Sequence, residues 1–480
     1  MSFKRNIAML TNFFLEQIKK NFPHHPTEEQ TLALEKLSEF LLAVRSDSLF
    51  LLKGYAGTGK SSLMGALVKT MEQLQQKTVL LAPTGRAAKV FASYSGKTAY
   101  TIHKKIYRQK VFSNEPTGFM LADNLNKHTL FIVDEASMIS NDGFDSFSFG
   151  SGRLLDDLIR FVYAGEGCRL LLLGDSAQLP PVGQTDSPAL NSDILAGYGL
   201  EVSSFVLTQV VRQAEMSGIL KNATLLRTHI TQGQVEFFPA LITQDCRDVT
   251  IIGGEDLIET IDRAYDRDGI SETIVISRSN KRANGFNNAI RNRILYRDEV
   301  LTSGDMLIVA KNNYFFGKDN PAMEFIANGD LIEIKRIRKT KELYGFHFCD
   351  ATVFFPDYEY EMDAKLLIDT LSTDTPALPK DMSDRLFYAV LEDYADITNK
   401  RDKMKMMKED PFFNAVQIKY AYSVTCHKAQ GGQWKNVFID LSYIPDAYLG
   451  LDFYRWLYTA FTRATERVYL INPPEGGKTV

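Results

Sequence analysis

The stretch Gly54-Tyr55-Ala56-Gly57-Thr58-Gly59-Lys60-Ser61 constrains the fold more than any other part of the chain. It is a phosphate loop, and such a loop works between the end of a strand and the start of a helix. The residues just before it, Leu49 to Lys53, read as an apolar strand, and a helical stretch follows. The glycines let backbone N–H groups curl around phosphates, Lys60 supplies a point charge to the β and γ groups, and the Ser61 hydroxyl is a ligand for Mg²⁺. Gly54, Ala56, Gly57, Thr58, Gly59, Lys60, Ser61 and Ser62 are therefore the expected binding set for ATP.

Apolar strands then alternate with helical stretches at Thr78 to Ala82, Thr129 to Val133 and Arg169 to Leu173, which predicts a parallel α/β sheet. The alternation returns at Val249 to Ile252 and Thr273 to Ser277, stops, and resumes at Tyr420 to Thr425, Val437 to Leu441 and Val468 to Ile471. A second α/β domain is thus split by an insertion. Residues 300 to 355 are rich in β-type residues and turns, which predicts a small barrel, and the lysine-rich stretch from 356 to 415 reads as a solvated helical face. The expected units are 1–215 with a hairpin insertion at about 95–125, then 216–299 together with 416–480, and 300–415 as the insert.

At 480 residues the chain exceeds what one core serves, so several domains are expected in any case. No apolar run is long enough to span a bilayer, and the first residues lack a secretory core. Ile7, Leu10, Phe14 and Ile18 instead recur at helical spacing. Cys168, Cys246, Cys349 and Cys426 form no CxxC pair, which argues against zinc and disulfides and fits a reducing cytoplasm. The formal net charge is −4, so binding to nucleic acid needs a local groove and not a globally basic surface. The first helix begins near residue 1 and the last strand ends near the C-terminus, so a minimal unit without an accessory nuclease or zinc domain is expected.

The strand LFIV ends in Asp134-Glu135, where Asp134 is placed to hold Mg²⁺ and Glu135 to orient the attacking water. A third strand ends in GDSAQLPP, whose Gln178 amide is suited to sensing a γ-phosphate. Charge developing on a transferred phosphoryl is best met by a guanidinium brought across a cleft, and Arg212, after the strand-like LTQVV, and Arg463, in the C-terminal helical stretch YTAFTRA, are the candidates.

Taken in order, TEEQ (27–30), GYAGTGKSS, APTGRAAK (82–89), TIHK (101–104), VDEAS, GDSAQLPPV, LTQVVRQ (207–213), TCHKAQGGQ (425–433) and LYTAFTRATERV (457–468) resemble superfamily 1 helicases. The match is to the 5′-to-3′ branch that contains the phage helicase Dda and RecD-like enzymes, and it spans nearly the whole chain. The resemblance implies two RecA-like P-loop domains with an inserted SH3-like barrel. It also implies Gln30 at the adenine edge and Pro83, Thr84, His103, Thr425, His427 and Lys428 along the nucleic-acid track. Between TIHK and VDEAS, two β-prone arms around Ser113 to Gly118 form a hairpin, the expected strand-separating pin; Phe112 or Phe119 would stack on the last base pair or anchor the hairpin to the core.

The function implied is ATP-dependent, 5′-to-3′ DNA unwinding by a monomer, with ATP and Mg²⁺, single-stranded DNA, duplex junctions and replication or repair proteins as ligands and partners. Three rivals stand beside it: a translocase that displaces proteins without separating strands, a P-loop kinase or small-molecule NTPase, and a non-catalytic ATP-dependent binding module. The last two leave TCHKAQG and Arg463, or Lys60, Asp134 and Glu135, without purpose.

Overall fold

Alternation along the central strands dictates the first domain. In Ser48–Gly54, Leu49 and Leu51 point into one apolar layer with Phe131, Val133, Leu170 and Leu172. Phe50 and Leu52 point into the other with Leu130, Ile132, Leu171 and Leu173. A strand apolar on both sides must be covered on both sides, as parallel sheets are. The computed structural model, which describes residues 2–43, 45, 47–109, 119–143, 150–211, 217–316 and 325–474, has this arrangement. Six parallel strands run in the order Ala99–Thr101, Lys77–Ala82, Thr129–Val133, Arg169–Gly174, Ser48–Gly54, Glu201–Leu207. The edge strands Ala99–Thr101 and Glu201–Leu207 do not stand out in the sequence, because the first is three residues long and Ser203 and Ser204 interrupt the apolar run of the second. The N-terminal helix Ser2–Asn21 packs through Phe14, Leu15 and Ile18.

The second domain is a five-stranded parallel sheet in the order Ser423–Thr425, Thr273–Ser277, Trp434–Asp440, Ala464–Ile471, Val249–Ile252. The fold is thus mixed α/β with two RecA-like sheets. Between the halves of the second domain sits a closed five-stranded barrel of Met306–Val309, Leu331–Leu343, Phe346–Phe355, Tyr360–Leu367 and Val416–Tyr420.

Two expectations need correction here. Tyr360–Leu367 lies inside the stretch read as helical, and Val416–Tyr420 belongs to the barrel although it falls beyond the boundary at 415. The charges of Glu361 and Asp363 mask the first as a strand, whereas its inner end, Ala364 to Leu367, is buried against Phe348–Ala351. The helices Lys380–Glu392 and Lys400–Lys408 are more than a solvated face, because Leu386, Val390 and Met407 share a small core with Phe346 and Phe348. The barrel is tied to the second domain by a buried cluster in which Arg291 and Arg297 meet Asp305 at 3.0 and 2.7 Å. Removing one member of such a cluster costs about 3–5 kcal/mol.

The arms of the expected hairpin, Tyr107–Gln109 and Phe119–Leu121, pair antiparallel. Its tip and Phe112 lie outside the described residues. Phe119 is buried, with its ring 5.1 Å from Tyr314 and 5.8 Å from Phe325, so it anchors the hairpin against the segment between the first two barrel strands.

Candidate active site and nucleic-acid groove

The phosphate loop leaves the strand Ser48–Gly54 and enters the helix Lys60–Gln73 through Gly59, whose φ of +84° favours glycine. A Cβ there would also lie 2.3 Å from the Gln30 amide nitrogen. Gln30 is spent on this loop: its Nε2 donates to the Thr58 carbonyl at 2.9 Å, and its Oε1 accepts from Thr27 N–H at 2.9 Å in the capping box of the helix Glu28–Leu42. It braces the loop and does not face the cleft. Thr58 is buried, its hydroxyl donating to the Tyr55 carbonyl at 2.7 Å. The Lys60 ammonium donates to the carbonyls of Gly54 and Tyr55.

A cleft of about 370 Å³ opens above the loop. Ala56, Gly57, Gly59, Lys60 and Ser61 form its floor, Asp134, Glu135, Asp175 and Gln178 one wall, and Arg463 with Gly431 and Gln433 the wall from the second domain. Gly54, Thr58 and Ser62 belong to the loop without lining the cleft. Asp134 is held at both oxygens, accepting from Glu135 N–H at 2.8 Å and from the Tyr94 hydroxyl at 2.5 Å. Burial, with the Glu135 charge beside it, pushes this carboxyl up to about 6. Glu135 has φ +53°, a left-handed conformation that costs a non-glycine residue about 1–3 kcal/mol and is characteristic of working sites. Its Oε1 lies 3.7 Å from an Arg463 guanidinium nitrogen. Arg463 is buried just beyond the end of the helix Leu451–Phe461, fixed by the carbonyls of Thr459 and Gly432 at 3.2 and 3.3 Å. Gln178 is buried with its Oε1 unpartnered at the cleft wall, a polar atom in want of a ligand. Arg212 lies outside the described residues; residues 208–211 before it are irregular, beyond the strand Glu201–Leu207, and Glu29 holds them through Thr208 and Gln209.

A larger groove of about 1000 Å³ runs along both domains and the barrel. Thr84, Thr425, His427 and Lys428 line it, and Pro83 and His103 do not. Thr84 also caps the helix Gly85–Ser95, accepting from Ala87 N–H at 3.2 Å. His103 is half-buried with its ring 5.7 Å from Tyr107, and desolvation draws its pKa down to about 4. Arg86, Lys89, Arg278 and Lys281 add charge to the groove that no single motif advertises. Burial lowers the Lys428 ammonium to about 8.

Residues 27–241 match the family model described as an AAA domain, and residues 420–471 match the one described as a UvrD-like helicase C-terminal domain. The ATP-dependent RecD2 DNA helicase of Deinococcus radiodurans is 33% identical over 41% of this chain and 23% of its own length. The ATP-dependent DNA helicase dda of Enterobacteria phage T4 is 24% identical over 59% of this chain and 62% of its own. These matches agree with the superfamily 1 helicase resemblance of the motifs. A solved structure of Pif1 helicase from Bacteroides, in complex with ADP-AlF3 and ssDNA, is 16% identical with a TM-score of 0.45, over 95% of this chain and 94% of that one. The chain spans less than two thirds of the length of these two curated relatives, RecD2 and dda.

The donor set fits Mg²⁺ held mainly by a nucleotide. Ser61 and Asp134 offer hard oxygens, and among the described residues no three His, Cys, Asp or Glu side chains form a cage of their own. Two residues of this site escaped the motif reading. Asp175, buried at the end of Arg169–Gly174, accepts from the Tyr458 hydroxyl at 2.6 Å, and that hydroxyl accepts from Ala56 N–H at 2.9 Å. Tyr458 thereby ties the second domain to the phosphate loop. A strand ending in Asp, as at Asp134, was the available signal for Asp175; Tyr458 lay unremarked within LYTAFTRA.

Proposed function

We propose that this chain is an ATP-driven motor that travels 5′ to 3′ on single-stranded DNA and separates the duplex ahead of it. The observation that carries the reading is the cleft in which Lys60, Asp134 and Glu135 of one domain face Arg463 of the other. The groove beside it shares Val90 and Gln433 with that cleft, so the two sites have a wall in common. Lys60 neutralises phosphate charge, and Ser61 with Asp134 would hold Mg²⁺, whose charge would screen the phosphates. Glu135 and Gln178 orient the attacking water, and Arg463 meets the charge that develops on the phosphoryl. Binding draws Arg463 and its domain inward, and hydrolysis releases them. Grips at Thr84 on one wall and Thr425 on the other then alternate along the strand. The names of the RecD2 and dda relatives favour DNA over RNA and unwinding as the outcome.

Pro83 and His103 act from behind the groove wall in this reading, and Gln30 sets the loop on which adenine rests. Arg212 supplies a second guanidinium, and Phe112 at the hairpin tip meets the junction. The motor acts as a monomer in the cytoplasm, with replication or repair proteins as partners; four free cysteines are in keeping with a reducing compartment. Displacement of proteins without strand separation is the second reading. It is favoured by the burial of Phe119, which withdraws that ring from a junction. The test is ATP hydrolysis with and without a single-stranded oligonucleotide: strong stimulation, lost in Lys60→Ala, is expected. Hydrolysis indifferent to the strand would sink the motor reading.

A further inference from the structure

The helix Gly85–Ser95 stands between the two sites. Arg86, Lys89, Val90 and Ser93 recur at helical spacing and line the groove, while Ala87, Val90 and Tyr94 line the cleft on an adjacent stripe. Over its 11 residues, roughly 16 Å, the helix presents one stripe to the groove and an adjacent one to the cleft, with Tyr94 near its C-terminal end. That far end is fixed. The Tyr94 ring stacks on Phe91 at 5.2 Å, its hydroxyl donates to Asp134 Oδ2 at 2.5 Å, and its carbonyl lies against Gly65 of the helix that follows the phosphate loop. Asp134 has its other oxygen on Glu135 N–H, so the Tyr94 phenol sets the remaining freedom of that carboxylate.

We propose that Tyr94 is a positioning residue through which this helix couples strand occupancy of the groove to Asp134. The inference rests on the function proposed above. A strand gripped at Arg86, Lys89 and Ser93 shifts or steadies the helix, and the phenol passes that displacement to the carboxylate that would hold Mg²⁺. No bond is made or broken; the step is a reorientation of one hydrogen-bonded pair. Coupling of this kind is reciprocal, so nucleotide bound in the cleft must change strand affinity by the same factor.

The test uses the full chain and a fluorescently labelled oligonucleotide, read by anisotropy with and without Mg²⁺ and a non-hydrolysable ATP analogue. Wild type is expected to change strand affinity by about 5-fold or more on adding the analogue, the lower end of ordinary coupling between sites. Tyr94→Phe keeps the ring stack but removes the donor, and it is expected to bring that factor close to 1 while still binding the strand. It is also expected to lose most of the strand stimulation of hydrolysis. If Tyr94→Phe does not fold, Gly65→Ala takes its place, since a Cβ there would lie 2.9 Å from the Tyr94 carbonyl and displaces the same end of the helix. A wild-type factor near 1, or a folded variant with the wild-type factor, overturns the inference and leaves the motor reading standing. Absence of strand-stimulated hydrolysis in wild type overturns the motor reading itself.

Discussion

The nucleotide cleft and the nucleic-acid groove solve different problems. The cleft is small, about 370 Å³, and its polar groups are pinned: Asp134 at both oxygens, Arg463 by two carbonyls, Asp175 and Ala56 by one phenol. The groove is nearly three times larger at about 1000 Å³, takes its walls from both α/β domains and the barrel, and presents cations spaced along them. Phosphoryl transfer needs groups held within fractions of an ångström, so their supports are rigid and local. A polyanion needs charge along a path, and many arrangements of lysine and arginine provide it. One site is built for position and the other for reach.

That distinction breaks if cleft variants weaken strand grip as much as turnover. Arg463→Ala should have the largest effect, a fall in strand-stimulated kcat of about 10³-fold or more, with strand affinity in the absence of nucleotide preserved. Glu135→Gln should lower kcat by about 10²-fold through loss of the group that orients water, and single-turnover hydrolysis would separate this from slow product release. Tyr458→Phe leaves Ala56 N–H and Asp175 without their shared partner. Its expected cost of about 1–3 kcal/mol would appear as a lower melting temperature and a raised KM for ATP.

In the groove, Lys428→Gln should give the smallest change, several-fold weaker strand binding with saturating kcat held. The slope of log affinity against log salt should flatten by about 0.7, the share of one phosphate contact on a single strand. Its pH dependence has a fixed sign. The Lys428 ammonium is charged below about 8 and neutral above, so wild-type strand affinity should fall as pH rises through that value, and Lys428→Gln should lose this step. A variant with an undiminished step would assign the titration to another group.

The same contrast governs what could be read from the sequence. Lys60, Ser61, Asp134, Glu135 and Arg463 lie in short runs that the sequence singles out, and the cleft brings them together. Thr84, Thr425, His427 and Lys428 were legible for the same reason, whereas Arg86, Lys89, Arg278 and Lys281 gain meaning only when the barrel and two sheets bring them to one groove. Tyr94 and Tyr458 were hidden because each acts through a partner distant in sequence, Asp134 and Asp175. Gln30 was read as facing the nucleotide, but a residue at the N3 position of a helix opened by Thr27 also completes a capping box, and that local bond turns it onto the loop. In the barrel, the charges in the outer half of Tyr360–Leu367 hid a strand whose inner half is buried throughout. Phe119 had two open readings, and only the distant Tyr314 and Phe325 decide for the anchor.

The central claim is that hydrolysis in the cleft drives the strand through the groove in one direction and opens duplex ahead of it. The most direct measurement is unwinding of a short duplex carrying either a 5′ or a 3′ single-stranded tail, with ATP and Mg²⁺, for wild type and Lys60→Ala. Opening of the 5′-tailed substrate alone, abolished in Lys60→Ala, is the expected result. Opening that prefers the 3′ tail would contradict the assigned direction, and strand-stimulated hydrolysis with neither substrate opened would contradict strand separation and leave a translocase.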